Sequence, residues 1–198
     1  GGADSLRGGG GDDILRGGDG IDASRHAGGV GQYFLENMGD GWVVSDLLGT
    51  EGRDLAYGVE RLLFDDGWWA IDVDGHAGTT ARFLGAVFGP ASVANEAYVG
   101  IGLTLLDGGM SESDLMALAL EARLGGAAAV TPRHVVDLLY ANLFGTLPDN
   151  ATRQYYEGLI ADGSFTMVSL ALAAAETPWN LDNIDFTGIQ STGLPYVI

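Results

Sequence analysis

The chain has 198 residues, no cysteine, and 27 acidic side chains against nine basic ones, for a formal net charge of −18. That charge excludes nucleic acid and anionic membrane surfaces as partners, because phosphate binding needs the opposite sign, and it suits hard cations. The missing cysteines exclude thiol catalysis, disulfides and thiolate-held zinc, and no apolar run approaches the ~20 residues that span a bilayer.

With 46% hydrophobic residues the chain can bury a real core, as one large domain or two small ones. It opens on Gly1 inside a glycine-rich segment, with neither an initiator Met nor a signal peptide. The expectation is therefore the carboxy-terminal part of a longer protein, with any catalytic module upstream.

The first residues repeat in nines. Gly17-Gly18-Asp19-Gly20-Ile21-Asp22-Ala23-Ser24-Arg25 has glycine at places one, two and four and aspartate at place six. Gly8 to Arg16 follows the same plan, with Gly8, Gly9, Gly11, Asp13 and an apolar Leu15, and an incomplete copy before it keeps Gly2, Asp4 and Leu6. A turn with several positive-φ positions needs glycine there. Its carbonyls then point inward, and one aspartate per turn adds a formal charge to the oxygen cage. Calcium takes about six to eight hard oxygens at loose geometry, which successive turns can share. The alternative is a flexible Gly/Asp linker, against which three in-phase copies argue.

This pattern, G-G-x-G-x-D-x-U-x, resembles the calcium-binding nonapeptide of RTX (hemolysin-type) proteins. The resemblance implies a short N-terminal parallel β-roll, two nonapeptides per turn, with each ion between turns n and n+2 on one edge. It implies a site shared by Asp4 and Asp22, and a second edge on which Asp13 needs a later partner. Gly49 to Tyr57 is a degenerate copy that keeps places one, four and six, which makes Asp54 a candidate for that partner. The implied metal set is Gly2, Asp4, Gly9, Gly11, Asp13, Gly18, Gly20, Asp22 and Asp54, holding one or two Ca2+ ions.

Residues 31–73 read as strands: Gln32 to Glu36 and Gly41 to Ser45, separated by the turn cluster Asn37-Met38-Gly39-Asp40. The run Gly58-Val59-Glu60-Arg61-Leu62-Leu63-Phe64-Asp65-Asp66-Gly67 resembles the segment that closes many RTX blocks, and a β cap is the role this implies. Trp68 and Trp69 should face opposite ways on the next strand, one into the β core and the other toward the helical part. A sugar-stacking platform is the rival reading. Asp65 and Asp66 are expected in a turn, and Asp72-Val73-Asp74-Gly75 reads as a junction with Asp74 as N-cap, or else as half of a calcium loop.

From residue 76 the spacing turns helical, which places the boundary between domains at 1–74 and 75–198. Ser111, Thr131-Pro132 and Asp149 or Asn150 are helix-start signals, and a further helix is expected from about Phe165 to Glu176. Ala81 to Gly89 parallels Asp137 to Gly145, a repeat of roughly 55 residues that predicts an all-α domain of two similar helical hairpins. The stretch from Leu139 through Gly145-Thr146-Leu147-Pro148-Asp149 resembles an uncharacterised helical domain that follows RTX repeats in secreted bacterial proteins. That resemblance supplies a context and no activity. The apolar ending Gly193-Leu194-Pro195-Tyr196-Val197-Ile198 is similar to the uncleaved signals of type I secreted RTX proteins.

No nucleophile elbow, Walker loop or zinc-binding histidine spacing occurs, and His26, His76 and His134 lie far apart. The expectation is an α+β, non-catalytic module of an RTX-like protein, exported through the type I secretion machinery of a bacterium. It would fold on calcium outside the cell, with no nucleic-acid partner and no membrane insertion. Two alternatives stand beside it: an extracellular glycan- or protein-binding (adhesion) module, and the tail of a secreted polysaccharide-modifying or hydrolytic enzyme.

Overall fold

The computed structural model describes every residue from Gly1 to Ile198. The chain divides into a β-rich unit, Gly1–Gly78 with Thr187–Ile198, and a helical unit, Thr79–Phe186.

The β-rich unit contains nine short strands: β1 (Ser5–Leu6), β2 (Ile14–Arg16), β3 (Ala23–Arg25), β4 (Tyr33–Asn37), β5 (Trp42–Asp46), β6 (Arg53–Tyr57), β7 (Arg61–Phe64), β8 (Gly67–Ala70) and β9 (Leu194–Tyr196). They form two sheets, ordered β1-β3-β7-β8-β9 and β2-β6-β5-β4. Here the expectation of a parallel β-roll fails, because both sheets are mixed. Only β1·β3, β3·β7 and β2·β6 pair in parallel, over two or three residues each. The remaining pairs, β4·β5, β5·β6, β7·β8 and β8·β9, are antiparallel.

The reason lies where the nonapeptides stop. After Arg25 the chain doubles back through hairpins at Asn37–Gly41 and Asp65–Asp66, so that β6 and β7, which still join β2 and β3 in parallel, take antiparallel partners on their other sides. Antiparallel strands can be joined by such short turns, whereas parallel ones need a crossover. The core lies between the sheets, where Tyr33, Trp42, Val44 and Ala56 of one meet Leu62 and Phe64 of the other.

The tail departs from its expected place in the helical half. Leu194 to Tyr196 add an edge strand to β8, pairing Ala70 with Leu194 and Trp68 with Tyr196. Pro195 is tolerated there because an edge strand need not donate on both sides. Trp68 meets Tyr196 edge-on at 5.7 Å, while Trp69 packs against Phe64 at 5.9 Å. Both rings thus have aromatic partners inside the β-rich unit.

The helices are α1 (His76–Phe88), α2 (Glu96–Asp107), α3 (Glu112–Leu124), α4 (Pro132–Phe144), α5 (Asn150–Ala161), α6 (Met167–Ala175), α7 (Pro178–Asn183) and α8 (Phe186–Thr192). The expected pair of hairpins is instead a pair of helix triplets. The repeat unfolds as α1-α2-α3 and α4-α5-α6, whose members start at His76, Glu96 and Glu112 and at Pro132, Asn150 and Met167. Ser111, Thr131, Asp149 and Thr166 cap α3 to α6 through side-chain oxygens that accept N–H groups of the first turn. Phe83, Val87, Leu106, Met116, Leu120, Val135 and Leu139 are among the side chains of one shared apolar core.

Replacing Tyr196 with Ala should destabilise the β-rich unit by about 3 kcal/mol, the usual cost of truncating a buried aromatic. Urea unfolding followed by circular dichroism reads this. A tail that served only as an unfolded export signal would show no loss.

Candidate metal centre

The strand registers bring acids from separate repeats to the same level. Ser5 pairs with Ala23 and Ala23 with Arg61, so Asp4, Asp22 and Glu60 stand one residue before three neighbouring strands. Ile14 pairs with Leu55, which likewise aligns Asp13 with Asp54 on the second sheet.

On the first edge the backbone N–H of Asp4 donates to Asp22 Oδ1 at 2.7 Å, and the N–H of Asp22 donates to Glu60 Oε2 at 2.8 Å. Asp22 is 0% exposed, and its Oδ2 has no hydrogen-bond partner. A Cβ on Gly17 would collide with the carbonyl oxygen of Gly58 and come within 2.5 Å of that Oδ2. Only a glycine leaves room for both oxygens. A Cβ on Gly20 would likewise collide with the Gly2 carbonyl.

The second edge repeats the arrangement. Asp13 N–H donates to Asp54 Oδ1 at 3.0 Å, and a Cβ on Gly8 would stand 2.8 Å from Asp13 Oδ2 and 3.1 Å from Asp54 Oδ2. Gly52 sits against the Gly11 carbonyl, with Asp12 Oδ1 taking the N–H of Arg53 at 2.8 Å. Asp46 fixes the facing loop by accepting N–H groups of Leu48, Thr50 and Glu51, each at 2.8 Å. The Thr50 hydroxyl, its strongest partner, and these N–H groups hold the Asp46 carboxyl well below its ordinary range. Gly9, Gly11, Gly18 and Gly20, at places two and four, adopt φ between +100° and +130°.

The structure thus groups Asp4 with Asp22, and Asp13 with Asp54. Glu60 joins the first edge, a residue that the nonapeptide period does not reach. Its one signal was its position in the run Gly58-Val59-Glu60-Arg61, directly before a strand. No group of three or more His, Cys, Asp or Glu side chains converges as a metal cluster. What comes together is the Asp22 carboxylate with the Gly58 carbonyl on the first edge and the Asp13 and Asp54 carboxylates on the second, all oxygens of the type hard cations take.

Other polar groups have structural work. His26 Nε2 lies 2.9 Å from Ser24 Oγ, and its Nδ1 lies 3.9 Å from both Glu51 and Asp54 carboxylates. Both side chains are buried, the His26 imidazole against Tyr33 and Phe64, and burial holds the His26 pKa below its ordinary value. Asp65 and Asp66 accept the N–H groups of Gly28 and Val30 and so tie down that loop. Asp72, not Asp74, caps α1 through the His76 N–H at 2.9 Å, while its other oxygen pairs with Arg61.

No family model and no curated protein matches the chain. Among solved structures, the extracellular lipase LipA from Serratia marcescens is similar to it at 18% identity and a TM-score of 0.28. That match covers 32% of this chain and 13% of the lipase chain.

Burial pushes the carboxyls of Asp54 and Glu60 up, and neighbouring carboxylates add to this against the pull of the N–H donors. A carboxyl whose pKa is raised by folding binds its proton more tightly in the folded chain. Its burden is present above the folded pKa and is relieved as pH falls toward the unfolded value near ~4. Without divalent cations, these two carboxyls should therefore add stability to the β-rich unit as pH falls from 7 toward that value, against the loss that the buried His26, with its lowered pKa, brings below about 6.5, and Asp54→Asn should reduce the carboxyl gain. Chelated urea titrations across this window check it.

Proposed function

We propose that this chain is a non-catalytic, calcium-binding module of an RTX-like protein exported by a type I secretion machinery, and that its β-rich unit orders around calcium after export. The observation that carries the reading is the buried, partnerless Oδ2 of Asp22, crowded with the Gly58 carbonyl into a space that the bare Gly17 leaves open. An ionised oxygen in that position costs free energy unless a cation meets it. Asp4 and Asp22 would hold one ion with nearby carbonyls, and Asp13 and Asp54 a second.

The logic follows from concentration. Where calcium is scarce, like charges on adjacent levels repel, and the glycine turns do not offset their ordering entropy. At the roughly millimolar calcium found outside cells, sites of extracellular type fill. Binding to the folded form alone then stabilises it.

Chelated protein should lose β circular dichroism and regain it with calcium, while magnesium, which demands a tight octahedron, should restore little. No change in either direction sinks the reading. Asp22→Asn keeps an acceptor for the Asp4 N–H but removes the charge. It should weaken calcium binding at least tenfold by calorimetry.

A second reading, a glycan- or protein-binding module, draws on Tyr155 and Trp179 of the helical unit, 63% and 57% exposed. Trp68 and Trp69 do not add to it, since Tyr196 and Phe64 engage them. A glycan array probed with the wild type and with Trp179→Ala decides the glycan form of this reading: no binding, or binding that Trp179→Ala leaves unchanged, rejects it.

A further inference from the structure

His26 lies inside the β-rich unit, 4% exposed, with its ring 5.5 Å from those of Tyr33 and Phe64. Packing of that kind alone would suit a phenylalanine, yet both ring nitrogens face polar groups. Nε2 lies 2.9 Å from Ser24 Oγ, and Nδ1 lies 3.9 Å from both Glu51 Oε2 and Asp54 Oδ2.

These neighbours decide which nitrogen carries the proton. A neutral imidazole has one N–H and one lone pair, and burial favours the neutral ring here. Carboxylates only accept, so a lone pair on Nδ1 would face two negative oxygens. A hydroxyl can donate as well as accept. The proton therefore belongs on Nδ1, with the buried Ser24 O–H donating to Nε2.

The two acids depend on that N–H to different degrees. Glu51 Oε2 already accepts the Tyr33 hydroxyl at 2.7 Å and the Ala27 N–H at 3.1 Å. Asp54 is held through Oδ1 alone, by the Asp13 N–H at 3.0 Å. Its Oδ2 borders the space that Gly8 leaves open, where a Cβ would stand 3.1 Å from it and 2.8 Å from Asp13 Oδ2. At 3.9 Å the His26 N–H is an oriented dipole and not a hydrogen bond, but in a buried setting such a dipole still steers a charge. The first edge has no counterpart, since Asp22 Oδ2 meets no donor.

We infer that His26 is a positioning residue of the second edge: its Nδ1–H, fixed by Ser24, keeps Asp54 Oδ2 on the Gly8 space and so sets calcium affinity at that edge and not at the first. This rests on the calcium reading above.

Calorimetric calcium titrations of the full chain read the edges separately, because Asp22→Asn silences the first and Asp13→Asn the second. At the second edge His26→Phe, which keeps a ring against Tyr33 and Phe64, should lose at least about tenfold in affinity, the usual cost of removing a partner of a metal ligand. His26→Asn places an amide N–H where Nδ1–H stood and should recover most of that loss. His26→Gln reaches toward Ser24 instead and should fall with His26→Phe. First-edge affinity should be the same in all three. Circular dichroism in saturating calcium checks that each variant is folded. Nitrogen NMR of the unsubstituted chain in calcium needs no variant and should find the ring proton on Nδ1.

The inference is overturned if His26→Phe binds at the second edge as tightly as its parent, if His26→Asn brings no recovery, or if both edges weaken alike. A ring proton on Nε2 overturns it equally. A parent chain that takes up no calcium sinks the calcium reading and this inference with it, whereas calcium uptake indifferent to His26 sinks the inference alone.

Discussion

The β-rich unit depends on one contact made three times. A carboxylate at the foot of one strand accepts the backbone N–H of the acid at the foot of its neighbour: Asp22 from Asp4, Glu60 from Asp22, and Asp54 from Asp13. A charge-assisted bond of this kind fixes register as well as adding energy, which matters when ladders are only two or three residues long. It also stacks negative charge on adjacent levels. Of the arginines in this unit, Arg61 pairs with Asp72, and Arg7 lies 3.7 Å from Glu51. The contact that aligns the strands therefore also creates the demand that the proposed calcium ions would meet.

That demand is concentrated in single atoms. Each accepting carboxylate uses one oxygen for the neighbouring N–H, so the other is left to be satisfied from outside the ladder. For Asp22 this second oxygen is enclosed, and the glycine beside it keeps the space open. A side chain at Gly17 would remove that space without touching any carboxylate. The glycine at place one of the repeat is thus as much a part of the centre as the aspartate at place six.

The sequence showed these pairings because the period carries them. Asp4, Asp13 and Asp22 recur in nines, and Asp54 keeps place six of a damaged copy. Glu60 was not legible: it is the wrong acid, and only Gly58 of the preceding glycines survives. The mixed sheets were not legible either, because a hairpin signal such as Asn37–Asp40 shows that the chain turns and not which strand receives it. The same holds for β9, three residues containing a proline, whose strand character comes wholly from pairing with β8. In the helical unit the caps at Ser111, Thr131 and Asp149 were local and therefore readable. The third helix of each triplet could be seen in the sequence, while its packing beside the other two could not.

The two units meet the cost of folding by different means. In the helical unit a continuous apolar core runs through both triplets, and capped helix ends satisfy the first-turn N–H groups locally. Nothing in that arrangement requires an ion. The β-rich unit spends much of its length on glycine turns, whose ordering entropy is the largest of any residue and which bury no side chain. Its core between the sheets is smaller, and part of its interior is given to Asp22, Asp54 and His26. Hydrophobic burial and edge repulsion therefore oppose each other within the same unit, and calcium bound at the oxygen-lined edges, as proposed, would tip that balance toward the folded form.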